Sequence, residues 1–444
     1  MYHVSFKEGL GQTRHIDQLR KRYERTPQPE DDWQRPRSQV KPARYPDKYL
    51  VTHQRARPLQ QPLPPLARED HEQQPVENPQ PQEQKPAALI DNTGQQPEAL
   101  IYNTDQQPAT LVDNTVQNIT PSTNRGTYNS TYPLTPPVTT KVGMKYRIGI
   151  VSDMDHSSKS KTEDFTWISY LFRGYVVWNP VSNSINVFWD DTKPIILKSS
   201  LGESGRGMEL SEMIVFNGKL YAADDRTGML FEIDNNGVIP WVVLQDGNGR
   251  VAKGFKSEWA AVKQQTLYVG GLGKEWTNHE GEMLNLNPLW VKTVTATGEV
   301  NHLNWHDNYL SLRSAIGIEF PGYMSHEAGV WSDVHNRWFF LPRRCSKERY
   351  NPDLDEKRSC NVLLNADEDF NNIKVTYVGE ITPTHGFSSF RFVPGTSDRI
   401  IVALKSVEDA GLTATYIMAF DITGKIILEE TKVADFKYEG LEFI

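Results

Sequence analysis

Residues 209–225 read ELSEMIVFNGKLYAADD. Two apolar runs, MIVF and LYAA, flank Asn217-Gly218, a dipeptide suited to a two-residue hairpin turn because both residues tolerate positive φ. The same plan recurs as FKSEWAAVKQQTLYVGG at 255–271, MSHEAGVWSDVHNRWFFLP at 324–342, GFSSFRFVPGTSDRIIVALK at 386–405 and a truncated YEGLEFI at 438–444. Each copy begins with a small or acidic residue followed by a short strand. In the four complete copies a turn and a second, more apolar strand follow. Aligning Ser211, Glu258, Glu327, Ser388 and Glu439 gives blade-sized intervals, allowing for inserted loops. Short strands and turn residues fill residues 146–444, and helical periodicity is almost absent, so the fold class is all-β. The fifth copy stops at the C-terminus and needs strands from residues 146–197 to complete it. Joining both chain ends in one blade is how a propeller closes. The reading is a five-bladed β-propeller.

Upstream the composition changes. The sequence is dense in Pro, Gln, Asn and Thr from about residue 26 to 140, with few aromatics, and cannot bury enough apolar surface to offset its ordering entropy. It carries a degenerate eleven-residue repeat, ALIDNTGQQPE, ALIYNTDQQPA and TLVDNTVQNIT, too short and polar to stack a core. Residues 1–143 are therefore expected to be a disordered N-terminal region and 144–444 the propeller. Sequons at Asn118 and Asn129 suit a secreted or ER/Golgi lumenal protein. No signal peptide or membrane-spanning run is visible. The net charge of −8 argues against nucleic acid as a partner. Cys345 and Cys360, the two cysteines, lie close enough in sequence to close a polar loop in an oxidising compartment.

Equivalent positions of a propeller repeat meet around one axis. Glu212, Glu258, Glu327 and Glu439 would then converge, with Ser211 and Ser388 at matching places. Facing carboxylates repel unless they are protonated or share a cation, and an all-oxygen donor set without a Cys or His cluster suits Ca²⁺ rather than zinc. Near the strand starts and turns stand Arg206, Arg226, Lys256, Lys274, Arg343, Arg344 and Lys405, of the types that hold phosphate. Asp153 and Asp155 end the first strand in IVSDMD, and Asp225 precedes Arg226 in DDRTG. A cation on phosphate oxygens with a carboxylate orienting water is enough apparatus for phosphoanhydride hydrolysis. There is no Walker A loop, GxSxG elbow or HExxH motif.

The stretches KYRIGIVSDMD, GRGMELSEMIVFNGKLYAADDRTG, KGFKSEWAAVK, LYVGGLGKEW, WFFLPRR, PTHGFSSFRFVP and KYEGLEFI, in that order, resemble the soluble calcium-activated nucleotidase (apyrase) family. The resemblance runs from about residue 146 to 444. It implies a five-bladed propeller with one axial Ca²⁺, hydrolysing nucleoside di- and triphosphates such as UDP, GDP and ADP to monophosphates. It implies Ser211, Glu212, Glu258, Glu327, Ser388 and Glu439 as calcium ligands. Asp153, Asp225 and Arg343 match essential site residues, with Arg206 and Arg226 expected to act beside them. Asp155, Lys256, Lys274, Trp276, Tyr323 and His385 are the expected substrate contacts, the base stacking on Trp276 or Tyr323. Exposed propeller faces would allow pairing into a homodimer. The competing readings are a non-catalytic, calcium-stabilised propeller serving as a binding platform, and a lactonase-like propeller hydrolase. The first would not need Asp153, Asp225 and the arginines together. The second would draw its metal ligands from Asn and Asp.

Overall fold

The computed structural model describes residues 127–444. Four antiparallel sheets of four strands follow one another along the chain. They start at Leu210–Phe216, Trp259–Lys263, Tyr323–Ser332 and Gly386–Phe392. The fifth sheet takes its innermost strand, Tyr438–Phe443, from the end of the chain. That strand pairs with Gly143–Ser152 near the beginning, with Ile148 opposite Phe443 and Ile150 opposite Leu441. The ring closes there, as the truncated fifth repeat required.

Closure is visible in the cores. Strand side chains alternate between faces, so a blade between two neighbours must be apolar on both. In the first blade Met213 and Val215 pack toward Val151 and Leu171 of the closing blade. Ile214 and Phe216 pack toward Leu267 and Val269 of the second. Three further clusters, around Trp338, Phe390 and Leu404, fill the remaining junctions, giving five interfaces for five blades. At the axis the inner strands nearly touch: a Cβ on Gly440 would lie 2.6 Å from the Met213 nitrogen. The Asn217-Gly218 turn has φ of 50° and 69°, as its hairpin requires.

Two features depart from expectation. A nine-residue helix, His306–Ser314, sits after the second blade, burying Tyr309 and Leu312. The propeller also begins earlier than residue 144. Tyr128 packs on Phe216 with ring centroids 5.6 Å apart, and Val138–Thr140 pairs with Gly143–Ser152. The Tyr132 hydroxyl donates to Glu442 Oε1 at 3.0 Å. Three aromatic or apolar anchors, Tyr128, Tyr132 and Leu134, suffice to order a segment whose average composition reads as spacer. The disorder expected for residues 1–126, their repeat and the Asn118 sequon lie outside the described residues. A chain starting at residue 127 is expected to melt and turn over like the parent. One starting at Val142 loses a hydrogen bond to a buried carboxylate, worth about 1.5–3 kcal/mol, and the Tyr128 contact. Melting curves of both truncations check this; equal melting temperatures would show that the segment contributes nothing.

Candidate active site

Four of the five inner strands break their ladder at the aligned positions. Pairing skips between Leu210 and Glu212, around His326 and Gly329, between Phe387 and Ser389, and between Tyr438 and Leu441. Such bulges take Ser211, Glu327, Ser388 and Glu439 out of register and re-aim them. Glu258 immediately precedes its strand. The Arg343 guanidinium joins the resulting carboxylates. Its Nη1 donates to Glu327 and, at 2.7 Å, to Glu439 Oε1. Lys256 Nζ lies 3.0 Å from Glu258 Oε1. Burial, then the neighbouring Glu327 charge, push Glu439 up to about 8 against the pull of Lys437. Glu258 is raised well above the usual carboxylate range, by burial first and then by Glu327, Asp225 and Glu439.

This donor set fits a hard divalent cation. Glu258 and Glu439 are buried with the partly exposed Glu327 among them, and the Ser388 hydroxyl is buried with no partner. Oxygen is the only donor element in the set. Glu212 is a correction. Its carboxylate accepts from its own Met213 nitrogen at 2.8 Å and from Ser389 Oγ at 3.1 Å, and faces Arg391 at 3.3 Å. Those contacts turn Glu212 toward Ser389 and Arg391 rather than toward Glu258, Glu327 and Glu439. The Ser211 hydroxyl is itself used, donating to the Ser257 carbonyl.

Beside the glutamates lies a second acidic group. Carboxylate oxygens of Asp153, Asp155 and Glu209 come within 4.8 Å of one another. Lys437 Nζ bridges Asp153 Oδ2 at 2.7 Å and Asp155 Oδ2 at 3.3 Å. Arg206 binds Glu209 at 2.5 and 2.8 Å and Asp155 at 3.2 Å. Burial works against the Asp153 charge, but Lys437 holds its carboxyl below the ordinary range. The Asp153 charge, then burial, push Asp155 up to about 6. Asp155 has φ of 46°, a strained conformation for a non-glycine residue, pinned by its own nitrogen donating to Asp153 Oδ1 at 2.9 Å. Asp225 binds Lys256 through Oδ2, while its Oδ1 is buried with no partner.

These groups open into a cleft. A recess of about 360 Å³ is lined by Asp155, Arg206, Glu209, Asp225, Arg226, Lys253, Lys256 and Trp276. A second, of about 260 Å³, is lined by Lys256, Lys274, Trp276, Glu327, Arg343, Arg344 and Tyr350. Lys256 and Trp276 border both, so the two recesses adjoin. Lys253 Nζ sits 4.7 Å over the Trp276 ring. Burial lowers Lys274 to about 8, with its Nζ 4.2 Å from the Tyr350 ring. Cationic walls, an aromatic ledge and carboxylates on the floor suit a polyphosphate carrying a flat base.

Two expected substrate contacts stand elsewhere. Tyr323 is 2% exposed, with its hydroxyl donating to Asp355, so its ring is covered. His385 is held by Glu430 and stacked on Tyr416 with centroids 4.3 Å apart. Lys405, midway along the strand Ile400–Asp409, pairs with the same Glu430 at 2.8 Å. Cys345 and Cys360 form a disulfide. It closes the loop carrying Tyr350 and Asp355, and a loop of about fifteen residues is worth about 3 kcal/mol on the chain-entropy account.

The family model for Apyrase matches residues 154–444, from the second acidic group to the C-terminus. The chain belongs to the Apyrase family. It is accordingly a nucleotide-hydrolysing enzyme. Over 317 residues it is 55% identical to soluble calcium-activated nucleotidase 1 of Rattus norvegicus, covering 71% of this chain and 78% of that protein. It is 48% identical to an apyrase of Cimex lectularius, covering 71% of this chain and 87% of that protein. Apyrase apy-1 of Caenorhabditis elegans is 45% identical over 302 residues, 67% of this chain and 84% of its own length. Among the described residues, no helix is long and apolar enough to cross a membrane.

Sequence reasoning missed Glu209, Lys253, Tyr350, Glu408 and Lys437. Glu209 and Lys437 each stand two residues before an aligned ring position, a signal the repeat alignment could have used. Glu408 had none: it reaches Arg343 at 2.7 Å and Lys437 at 3.1 Å only through the fold.

Proposed function

We propose that this apyrase hydrolyses the terminal phosphoanhydride of nucleoside di- and triphosphates, UDP and GDP among them, in a reaction that requires Ca²⁺. The observation that carries the reading is the convergence of Glu258, Glu327 and Glu439 beside a cation-lined cleft whose acidic lining is Asp155, Glu209 and Asp225. Ca²⁺ would be held by those three glutamates with the Ser388 and Ser211 oxygens, and when bound it neutralises phosphate oxygens.

The chain's own residues do the rest. Arg206, Arg226, Lys253 and Lys256 bind the phosphate chain and offset the negative charge that develops on it. Arg343, Arg344 and Lys274 line the adjoining wall and extend the same field. The half-buried Trp276 ring, which borders both recesses, offers a face on which any base can stack. Asp225 Oδ1, buried and unpartnered, and Asp155 orient the attacking water on the terminal phosphorus. As the water oxygen bonds to that phosphorus, the bond from phosphorus to the bridging oxygen breaks and the water proton passes to a carboxylate. A diphosphate gives inorganic phosphate and a monophosphate; a triphosphate gives phosphate and a diphosphate, which is cleaved in a second round. The disulfide and the exposed Asn129 sequon support a secreted or ER/Golgi lumenal location.

Phosphate release from UDP, GDP and ADP with Ca²⁺, Mg²⁺ or EGTA tests the proposal. Release that depends on Ca²⁺ supports it. Binding without release in every condition would leave the propeller a platform rather than a calcium-dependent hydrolase. A pH profile gives a second check. Asp155 accepts a proton only when ionised, and its carboxyl titrates at about 6. Turnover is therefore expected to be retained above that pH and to fall roughly tenfold per unit below it. A rate unchanged from pH 7 to 5 would remove Asp155 from the proton path.

A further inference from the structure

Lys274 and Trp276 reach the cleft from one short stretch, residues 271–277. It turns at Gly273, with φ of 68°, and ends in the two-residue strand Trp276–Thr277. Between the two cleft residues stands Glu275, 2% exposed and pointing into the protein. Arg313 meets it with a two-pronged ion pair, Nη1 to Oε2 at 2.9 Å and Nη2 to Oε1 at 3.0 Å. Both side chains are 3% exposed. Arg313 lies in the last turn of the helix His306–Ser314 and lines neither recess of the cleft.

The helix is fixed in turn. Tyr309 accepts a hydrogen bond from Trp259 Nε1 at 3.1 Å, and its ring lies so close over Gly273 that a Cβ there would approach it to 2.5 Å. Successive side chains of an extended chain point to opposite sides. With Glu275 clamped inward, its neighbours Lys274 and Trp276 on either side line the recess. A guanidinium fork on a carboxylate fixes rotation as well as distance, which a single ammonium contact does not.

We infer that Arg313 is a positioning residue for nucleotide binding: through Glu275 it aims Lys274 and Trp276 at the substrate. The inference rests on the proposed nucleotide hydrolysis, which supplies the cleft with its ligand. Arg313 lines neither recess and acts through the Lys274–Trp276 stretch, so the effect belongs to binding rather than to the chemical step.

The variants are Arg313→Lys, which keeps charge without the fork, and the pair Glu275→Gln with Arg313→Met, which removes both members of the buried ion pair together and so protects folding. Steady-state kinetics with UDP and Ca²⁺ are read beside melting with and without Ca²⁺. KM is expected to rise about tenfold in the double variant and less in Arg313→Lys, with kcat within about twofold and the calcium-dependent rise in melting temperature retained. A merely structural role would lower the melting temperature without separating KM from kcat. A double variant that melts with the parent's calcium response yet keeps the parent's KM overturns the inference, as does a loss confined to kcat. A parent that releases no phosphate removes the functional reading and this inference with it; an active parent with unaltered variants removes the inference alone.

Discussion

Asp225→Asn is expected to lower kcat for UDP by about 10²-fold or more, the order of loss when a reactant is no longer held in line. The substitution keeps the side chain's volume and removes the charge that faces Lys256 through Oδ2 and the cleft through Oδ1. Asp153→Asn should also lose turnover, because Asp153 sets the field at Asp155 and anchors Lys437. Neither residue belongs to the glutamate group at the axis, so the gain in melting temperature on adding Ca²⁺ should survive in both. Phosphate release and calcium-dependent melting, measured on the same preparations, separate the two effects. An Asp225→Asn enzyme within a few-fold of the parent would take Asp225 out of the chemistry.

The second large effect concerns the cation. Glu258→Gln, Glu327→Gln and Glu439→Gln each remove one formal charge at nearly constant volume. Packing should change little, and calcium affinity should fall. A ligand bound only by the folded state stabilises it by about 2.7 kcal/mol at a hundredfold excess over Kd, and each kcal/mol is worth about 2–4 °C in a domain of 150–250 residues. The parent should therefore melt several degrees higher with Ca²⁺ than with EGTA, and each variant should lose most of that difference. Raising Ca²⁺ should partly restore activity in all three. Glu212→Gln is the internal control. Its carboxylate is engaged by Ser389 and Arg391, so it should destabilise the protein with and without Ca²⁺ alike. If Glu212→Gln abolished the calcium response and the other three did not, the assignment of ligands would be reversed.

The propeller was legible because its signals are local. The Asn217-Gly218 turn and the doubled apolar faces of the first blade both appear within a seventeen-residue stretch. Glu258, Glu327 and Glu439 were legible because a repeat puts equivalent residues at one axis. Glu212 shows where that logic stops. Alignment places Ser211 and Glu212 together, but a bulge decides which of two neighbours faces inward, and bulges leave little trace in sequence. Tyr323 and His385 were read from residue type alone; Tyr323 is covered, with its hydroxyl engaged by Asp355 of the recess wall, and Glu430 with Tyr416 holds His385 outside the recesses. Lys437 and Glu408 escaped for the converse reason: their roles exist only once distant strands meet. Residues 127–143 were hidden by averaging, since a few anchors such as Tyr128 and Tyr132 outweigh a polar background.

Calorimetric titration of Ca²⁺ into the parent and into Glu258→Gln, Glu327→Gln and Glu439→Gln shows whether these glutamates hold the ion. The account predicts one ion per chain for the parent and at least tenfold weaker binding in each variant, because every lost carboxylate charge costs more than about 1.4 kcal/mol in a buried site. A parent that binds no Ca²⁺, or three variants that bind it as the parent does, would contradict the claim that these glutamates hold the ion.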